Sequence, residues 1–298
     1  MSEFQCTFVT AYYRFPGVPK RENMLERGLE LVSVAVPLVI YCDSEFEDQF
    51  RQQREQLGLA HLSRIVARPH SDLPAYKYRD TVERNRAEYW PTRDPRSPTD
   101  VHLVQLSKFA LCQEVAEWNP FECTHVGWLD FRIVSETRLP TQLVAIAQDP
   151  RPRFTVSVLN CWSPTDYVDL REFYNQYRWI AAGGLWTVER TTAARVLPRL
   201  IEHVDRVTNA GYGHGDEAFF AFTIDEMPEE FTLNVGDYAD LTANYYGARA
   251  NLGYVEWVLN MYIGKGMLER ARKMIRDARI MFTPLRARFE EYIKVIQE

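Results

Sequence analysis

The chain lacks the short signatures that mark several large enzyme classes. No GxGxxG or Walker A loop occurs, and neither a Ser-His-Asp order nor a Cys-His pair carries a local signature, so dinucleotide, P-loop and triad readings rank low. The five cysteines, Cys6, Cys42, Cys112, Cys123 and Cys161, form no CxxC pair and are odd in number. That excludes a disulfide framework and leaves small buried hydrophobes. No run approaches the roughly 20 apolar residues that span a bilayer. The polar start, MSEFQCTFVTAYY, has no basic stretch leading into an apolar one, as a signal peptide would. A cytoplasmic protein is expected. Basic charge is scarce too: 35 Lys and Arg face 41 Asp and Glu, for a net charge of −6. This argues against a nucleic-acid partner but not against a small anionic substrate held by local cations.

What is present is a globular composition, 46% hydrophobic and 26% charged over 298 residues, with length enough to bury roughly 75% of the unfolded surface. Strand and helix patterns alternate along the first half, as in parallel-sheet folds. Strands are expected at 5–13, 37–43 and 63–67, with helices at 25–33 and 45–57. The highly charged stretch 76–100, with Pro91, Pro95 and Pro98, departs from this regularity and reads as an insertion or lid loop. A helix at 101–118 then delivers a strand ending at Asp130. Further strands are expected at 153–159, 180–189 and 231–235, and helices at 167–179, 191–208 and from 216. The segment after Tyr254 reads as helical, so 1–255 forms the main α/β domain and 256–298 a C-terminal helical extension. From Met261 onward nine Lys or Arg stand against five Asp or Glu. A solvated helical face or peripheral contact with an anionic membrane or a partner would each explain that excess.

The most informative stretch is THVGWLDFRI, Thr124 to Ile133, an apolar strand that stops on Asp130 with Arg132 two residues later. An acid leaving the carboxyl end of a buried strand points into the crevice where ligands of open α/β sheets bind. About eighty residues on, GYGHGDEAFFA, Gly211 to Ala221, offers His214, Asp216 and Glu217 from a glycine-flexed loop. Two such segments at a distance suggest a site assembled from separate elements, which favours an enzyme. The paired glycines Gly183 and Gly184 leave room for close approach to the backbone. Asp237, Asp240 and Asn244 either line an acceptor side or cap a helix.

The strings TFVTAYY, PLVIYCD, LPAYKYRD, LSKF, HVGWLDFRI, NCWS, RWIAAGGLW, GYGHGDEAFFA and VGDYADLTANYY together resemble the bacterial HtrL/YibB-like proteins over most of residues 5–260. The order of parts is more remotely similar to nucleotide-sugar glycosyltransferases of the GT-A fold. That resemblance implies a mixed, mostly parallel sheet flanked by helices and a sugar moved from a nucleotide-sugar donor to a glycan or lipid-linked acceptor, as in surface-glycan assembly. It implies that Thr10, Ala11 and Tyr12 flank the nucleoside, that Asp43 contacts base or ribose, and that Lys108 reaches the diphosphate. Gly183 and Gly184 would make room for the sugar, with Trp179 and Trp186 as stacking faces. Asp130 matches the first acid of the Asp-x-Asp metal motif, whose second acid is here Arg132.

One carboxylate beside an arginine makes a poor Mg²⁺ or Mn²⁺ site, so two arrangements stay open. Either Arg132 neutralises the leaving diphosphate itself, or His214 and Asp216 complete an ion site with Asp130. Asp216 or Glu217 would be the base for an acceptor hydroxyl. Two other function classes remain in view: a metal-assisted sugar-nucleotide hydrolase or nucleotidyltransferase using Asp130, His214, Asp216 and Glu217, and a non-catalytic carbohydrate- or nucleotide-binding protein on the same scaffold.

Overall fold

The first strand, CTFVTAY, is buried at every position, which an apolar run sustains only where both faces of a sheet are covered. The computed structural model describes residues 3–15, 23–88, 98–174, 180–212, 216–246, 252–277 and 284–297. In its first half β1 (Cys6–Tyr12), α1 (Met24–Val32), β2 (Leu38–Cys42), α2 (Ser44–Gln56) and β3 (Ser63–Ala67) alternate, followed by α3 (Arg79–Glu88), α4 (Thr99–Trp118) and β4 (His125–Leu129). Then come α5 (Ile133–Glu136), α6 (Gln142–Gln148), β5 (Phe154–Val158), α7 (Leu170–Phe173), β6 (Ala181–Glu189) and α8 (Arg190–Asn209). The remainder is α9 (Phe219–Glu226), β7 (Phe231–Val235), α10 (Leu252–Gly264), α11 (Leu268–Asp277) and α12 (Glu290–Gln297).

The strands form one sheet of order β3-β2-β1-β4-β6-β5-β7. All neighbours are parallel except that β6 runs antiparallel to both β4 and β5. The architecture is therefore the mixed, mostly parallel α/β sheet with flanking helices expected from the sequence. One face carries Val9, Ala11, Trp128, Trp186 and Val188 under α4, α8 and α9. The other carries Phe8, Ile40, Leu129 and Leu185 under α1, α2 and α6. From β1 the chain steps outward to β2 and β3, then returns to place β4 on the opposite side of β1. Strand order thus reverses between β1 and β4, where the crevice of an open α/β sheet opens.

Two expected elements differ. The segment 76–100, expected to be a loop, contains α3, whose Val82 and Asn85 are buried; Asn85 Nδ2 donates to the Thr208 carbonyl of α8 (2.9 Å). Pro91 and Pro95 fall outside the described residues. Of the aromatic helix expected over 167–179 the described residues form only the short α7, capped by Asp169, which accepts from the N–H groups of Arg171 and Glu172, and 175–179 lie outside them. In the C-terminal helices much of the basic excess is consumed internally. Arg270 stacks on Trp162 (4.3 Å) and pairs with Asp225, Lys273 Nζ donates to the Phe231 carbonyl, and Lys265 pairs with Asp166 (3.3 Å). No helix among the described residues is long and apolar enough to cross a membrane.

One buried cation was invisible in the sequence. Arg54 of α2 has no exposed surface. Its guanidinium donates to the carbonyls of Val32 (3.1 Å), Val34 (2.6 Å), Val36 (2.8 Å) and Leu62 (3.0 Å) and to Ser63 Oγ (2.6 Å). It ties the turn entering β2 to the start of β3, at the cost of burial that lowers its pKa to about 10. Arg54→Leu strands those acceptors and is expected to cost about 3 kcal/mol or more, with Arg54→Lys losing less. Urea unfolding checks this, and a loss under about 1 kcal/mol for the leucine variant would show that water replaces the guanidinium.

Candidate active site

The α4 helix ends on Asn119 in the left-handed conformation (φ 48°), its N–H bonded to the Val115 carbonyl, a usual way of stopping a helix. The chain then turns into β4. Asp130 stands one residue beyond that strand. Its N–H still completes the ladder to the Gly184 carbonyl (2.8 Å), while its own carbonyl accepts from Ile133 N (2.8 Å). Because β6 is antiparallel, its beginning lies beside the end of β4, with Leu129 opposite Leu185. Gly183 and Gly184 are thereby set against Asp130.

Lys108 of α4 reaches into this point. Its Nζ lies 2.8 Å from Asp130 Oδ1 and 2.9 Å from Asp216 Oδ2, and donates to the Gly183 carbonyl (3.1 Å). The same Asp130 Oδ1 accepts from Trp128 Nε1 (2.8 Å), and Oδ2 from the Tyr238 hydroxyl (3.0 Å). Lys108 and Asp216 are 4% and 3% exposed, whereas the Asp130 side chain is 34% exposed. Asp130 therefore faces the cavity that opens above the cluster, about 560 Å³ in volume. That is the size range of small-molecule sites. Ala11, Gln105, Arg132, Glu136, Glu217 and Asp237 also line it.

The cluster separates its carboxyl groups by protonation. Burial works to raise the Asp130 pKa, but the Lys108 charge and the hydrogen bonds from Lys108, Trp128 and Tyr238 outweigh it, so Asp130 stays below the ordinary value. For Asp216, burial together with the neighbouring Asp130 charge prevails over Lys108 and the pKa is raised. Glu217 is pushed up to about 8 by burial and by the Asp216 charge. At neutral pH the site holds an ionised Asp130 beside a mostly protonated Glu217. Such divergence is the usual mark of divided acid and base roles.

The expected site residues are thus only partly brought together. Ala11, Lys108, Asp130, Arg132, Gly183, Asp216 and Glu217 line one cavity. Thr10 and Tyr12 do not: on β1 they alternate with Ala11, and Tyr12 packs against Phe46 (4.8 Å) and Phe131 (4.7 Å) on the other face. Asp43 lies at the N-terminus of α2, away from the lining, its pKa raised by burial. The glycines make room first for the protein itself. A Cβ on Gly183 would lie 1.9 Å from Asp216 Oδ2, and one on Gly184 2.0 Å from the Tyr238 hydroxyl. Trp186 is fully buried and stacked on Phe154 (5.0 Å), so it offers no face to a ligand. Trp179 and His214 lie outside the described residues. Asp237 lines the cavity, whereas Asp240 pairs with Arg138 (3.0 Å) and Asn244 donates to the Val235 carbonyl. Lys108 has three ammonium protons and three acceptors in the protein, so it offers a diphosphate charge but no spare donor.

A divalent ion does not fit between Asp130 and Asp216, because the Lys108 ammonium already stands there. Among the described residues no group of three or more His, Cys, Asp or Glu side chains is placed to hold a metal. Arg132 pairs with Glu136 at the cavity wall and, among the described lining residues, is the cation besides Lys108. Trp128, Tyr238 and Gln105 were missed by sequence reasoning. Gln105 was findable, since it sits three residues before Lys108 and therefore on the same helical face.

Glu217 gives the site a pH signature in stability. Its folded pKa of about 8 exceeds the ordinary 4.5, so between those values the unfolded chain has released a proton that the folded chain keeps. Stability conferred by the protonated group is complete below pH 4.5 and is lost as pH rises toward 8. Wild type is expected to lose up to about 1.4 kcal/mol per pH unit relative to Glu217→Gln across this window, levelling off above it. Urea unfolding at pH 5 and 8 measures the difference, and parallel profiles would remove Glu217 from the buried cluster.

No protein-family model and no curated protein matches the sequence. Among solved structures the chain is similar to mouse xyloside xylosyltransferase 1 in its apo form, at 13% identity and a TM-score of 0.45, over 82% of this chain and 94% of that one. It is also similar to 4-diphosphocytidyl-2C-methyl-D-erythritol synthase from Anaerococcus prevotii DSM 20548, at 12% identity and a TM-score of 0.38, over 80% of this chain and 89% of that one.

Proposed function

We propose that this protein is a glycosyltransferase that moves a sugar from a nucleotide-sugar donor to a glycan or lipid-linked acceptor, in surface-glycan assembly as one of the HtrL/YibB-like proteins. The observation that carries the reading is a cavity at the sheet's switch point in which one lysine holds two carboxylates, an arginine stands at the wall, and a third carboxyl keeps its proton near neutrality.

Glycosyl transfer needs those parts. As the bond from the anomeric carbon to the diphosphate breaks, positive charge develops on the sugar and negative charge on the departing phosphate. Asp130, held ionised and open to the cavity, faces the first; Arg132, released from Glu136, meets the second. The acceptor hydroxyl attacks the anomeric carbon as the bond to the diphosphate breaks, and its proton passes to the ionised form of Glu217, whose share grows as the pH nears about 8. Asp216 serves less well as that base, because it is buried against Lys108.

The reading has three consequences that can be measured. Saturating the protein with the right nucleotide sugar adds about 2.7 kcal/mol at a hundredfold its dissociation constant, enough to raise the melting temperature by several degrees. Asp130→Ala, and Asp216→Asn combined with Glu217→Gln, are expected to lower transfer at least about 100-fold with the fold retained. The wild-type rate should climb with pH to a plateau above about 8, the rise disappearing in Glu217→Gln. Stabilisation by no member of a UDP-, GDP-, CMP-, ADP- and TDP-sugar panel would overturn the reading in favour of a glycan-binding role. Release of nucleoside diphosphate without any acceptor would make the protein a hydrolase.

A further inference from the structure

Three oxygens converge on the Lys108 ammonium: Asp130 Oδ1 at 2.8 Å, Asp216 Oδ2 at 2.9 Å and the Gly183 carbonyl at 3.1 Å. The Trp128 ring closes another side, its centroid 5.4 Å from Nζ. Two carboxylates and a backbone carbonyl are the donors that hard divalent cations select, at about 2.0–2.1 Å for Mg²⁺. The cage is therefore of the right chemistry for such an ion and is expanded by somewhat under 1 Å to suit an ammonium.

We propose that Lys108 is the resident cation of this cage: its ammonium stands where a divalent ion would otherwise sit, and removing it turns the same oxygens into a Mn²⁺ or Mg²⁺ site. The lysine is delivered by a long buried helix, is 4% exposed and spends every proton on the cage. It cannot leave as a free ion can, so Asp130 and Asp216 are held in place whatever the metal supply. Lys108 is thus a positioning residue, acting on a ligand through the carboxylates it holds. The inference deepens the donor-site reading by giving it a fixed cation, but metal binding is measured with no donor present and stands or falls separately.

The experiment uses the full chain with Lys108→Ala and Lys108→Met, each with 1 mM Mn²⁺ or EDTA. Wild type is expected to shift its melting temperature by less than about 1 °C between the two conditions. The variants, left with facing carboxylates, are expected to melt lower and to regain about 3–6 °C with Mn²⁺. Adding Asp130→Asn to Lys108→Ala should abolish the gain, which a merely structural loss of packing would not produce. Variants that fold yet gain nothing from Mn²⁺ overturn the proposal. Should neither variant fold, Mn²⁺ titration of wild type by water-proton relaxation decides: binding that Asp130→Asn removes overturns it, and absence of such binding upholds it.

Discussion

A buried ammonium held between two carboxylates is the interaction on which the rest of the site depends. Taking any one of these charges out of water alone would cost several kcal/mol, and the loss is offset only if partners lie at hydrogen-bond distance. Lys108, Asp130 and Asp216 come from α4, the exit of β4 and the turn entering α9, so meeting this demand fixes three distant segments at once. The Gly183 carbonyl adds β6 to the same point. The geometry is set by charge, and the packing around it is arranged to permit the approach.

That permission comes from strand direction and from missing side chains. Were β6 parallel to β4, its end and not its beginning would lie beside Asp130. Its antiparallel course instead brings Gly183 and Gly184 there. Any Cβ at these positions would collide with Asp216 or Tyr238. The small residues therefore serve the cluster's own assembly before they serve any ligand. On the other face of the sheet Gly28 has a matching role, since a Cβ there would lie 1.8 Å from the Phe131 ring. Both neighbours of Asp130 in sequence, Leu129 and Phe131, are thereby packed in the core under α1 and α6, while its own side chain turns to the cavity.

Strands were the legible part of the sequence, because apolar runs such as PLVIYC can be buried only inside a covered sheet. The acid ending β4 and the Gly-Asp-Glu loop were legible too, since charges that close an apolar run need a reason to be there. Side-chain direction was less so. Thr10, Ala11 and Tyr12 read as one nucleoside-facing group, yet alternation along β1 gives only Ala11 to the cavity. Trp186 read as a stacking face, but its register opposite Trp128 and Val156 places it in the core. Prolines near 91–98 masked the helical pattern of 79–88, and Arg54 looked like one more charge on a polar helix. Tyr238 hid between two acids that drew the eye for their charge.

The charge of the cavity explains why protonation matters there. Among its described lining residues are the acids Asp130, Glu136, Asp216, Glu217 and Asp237 and the cations Lys108 and Arg132. Fully ionised, that lining would repel a diphosphate. Burial raises the pKa of Glu136, Asp216 and Glu217, and the proton that Glu217 keeps to about pH 8 lowers the negative charge of the lining. The Asp130 pKa is lowered instead, by the lysine and two further donors. Desolvation raises each of these four carboxyls; what separates them is their neighbours, since Lys108, Trp128 and Tyr238 hold Asp130 down while adjacent carboxylates push Asp216 and Glu217 up. A cavity lined this way combines a carboxylate held down by three donors with the Arg132 cation at its wall.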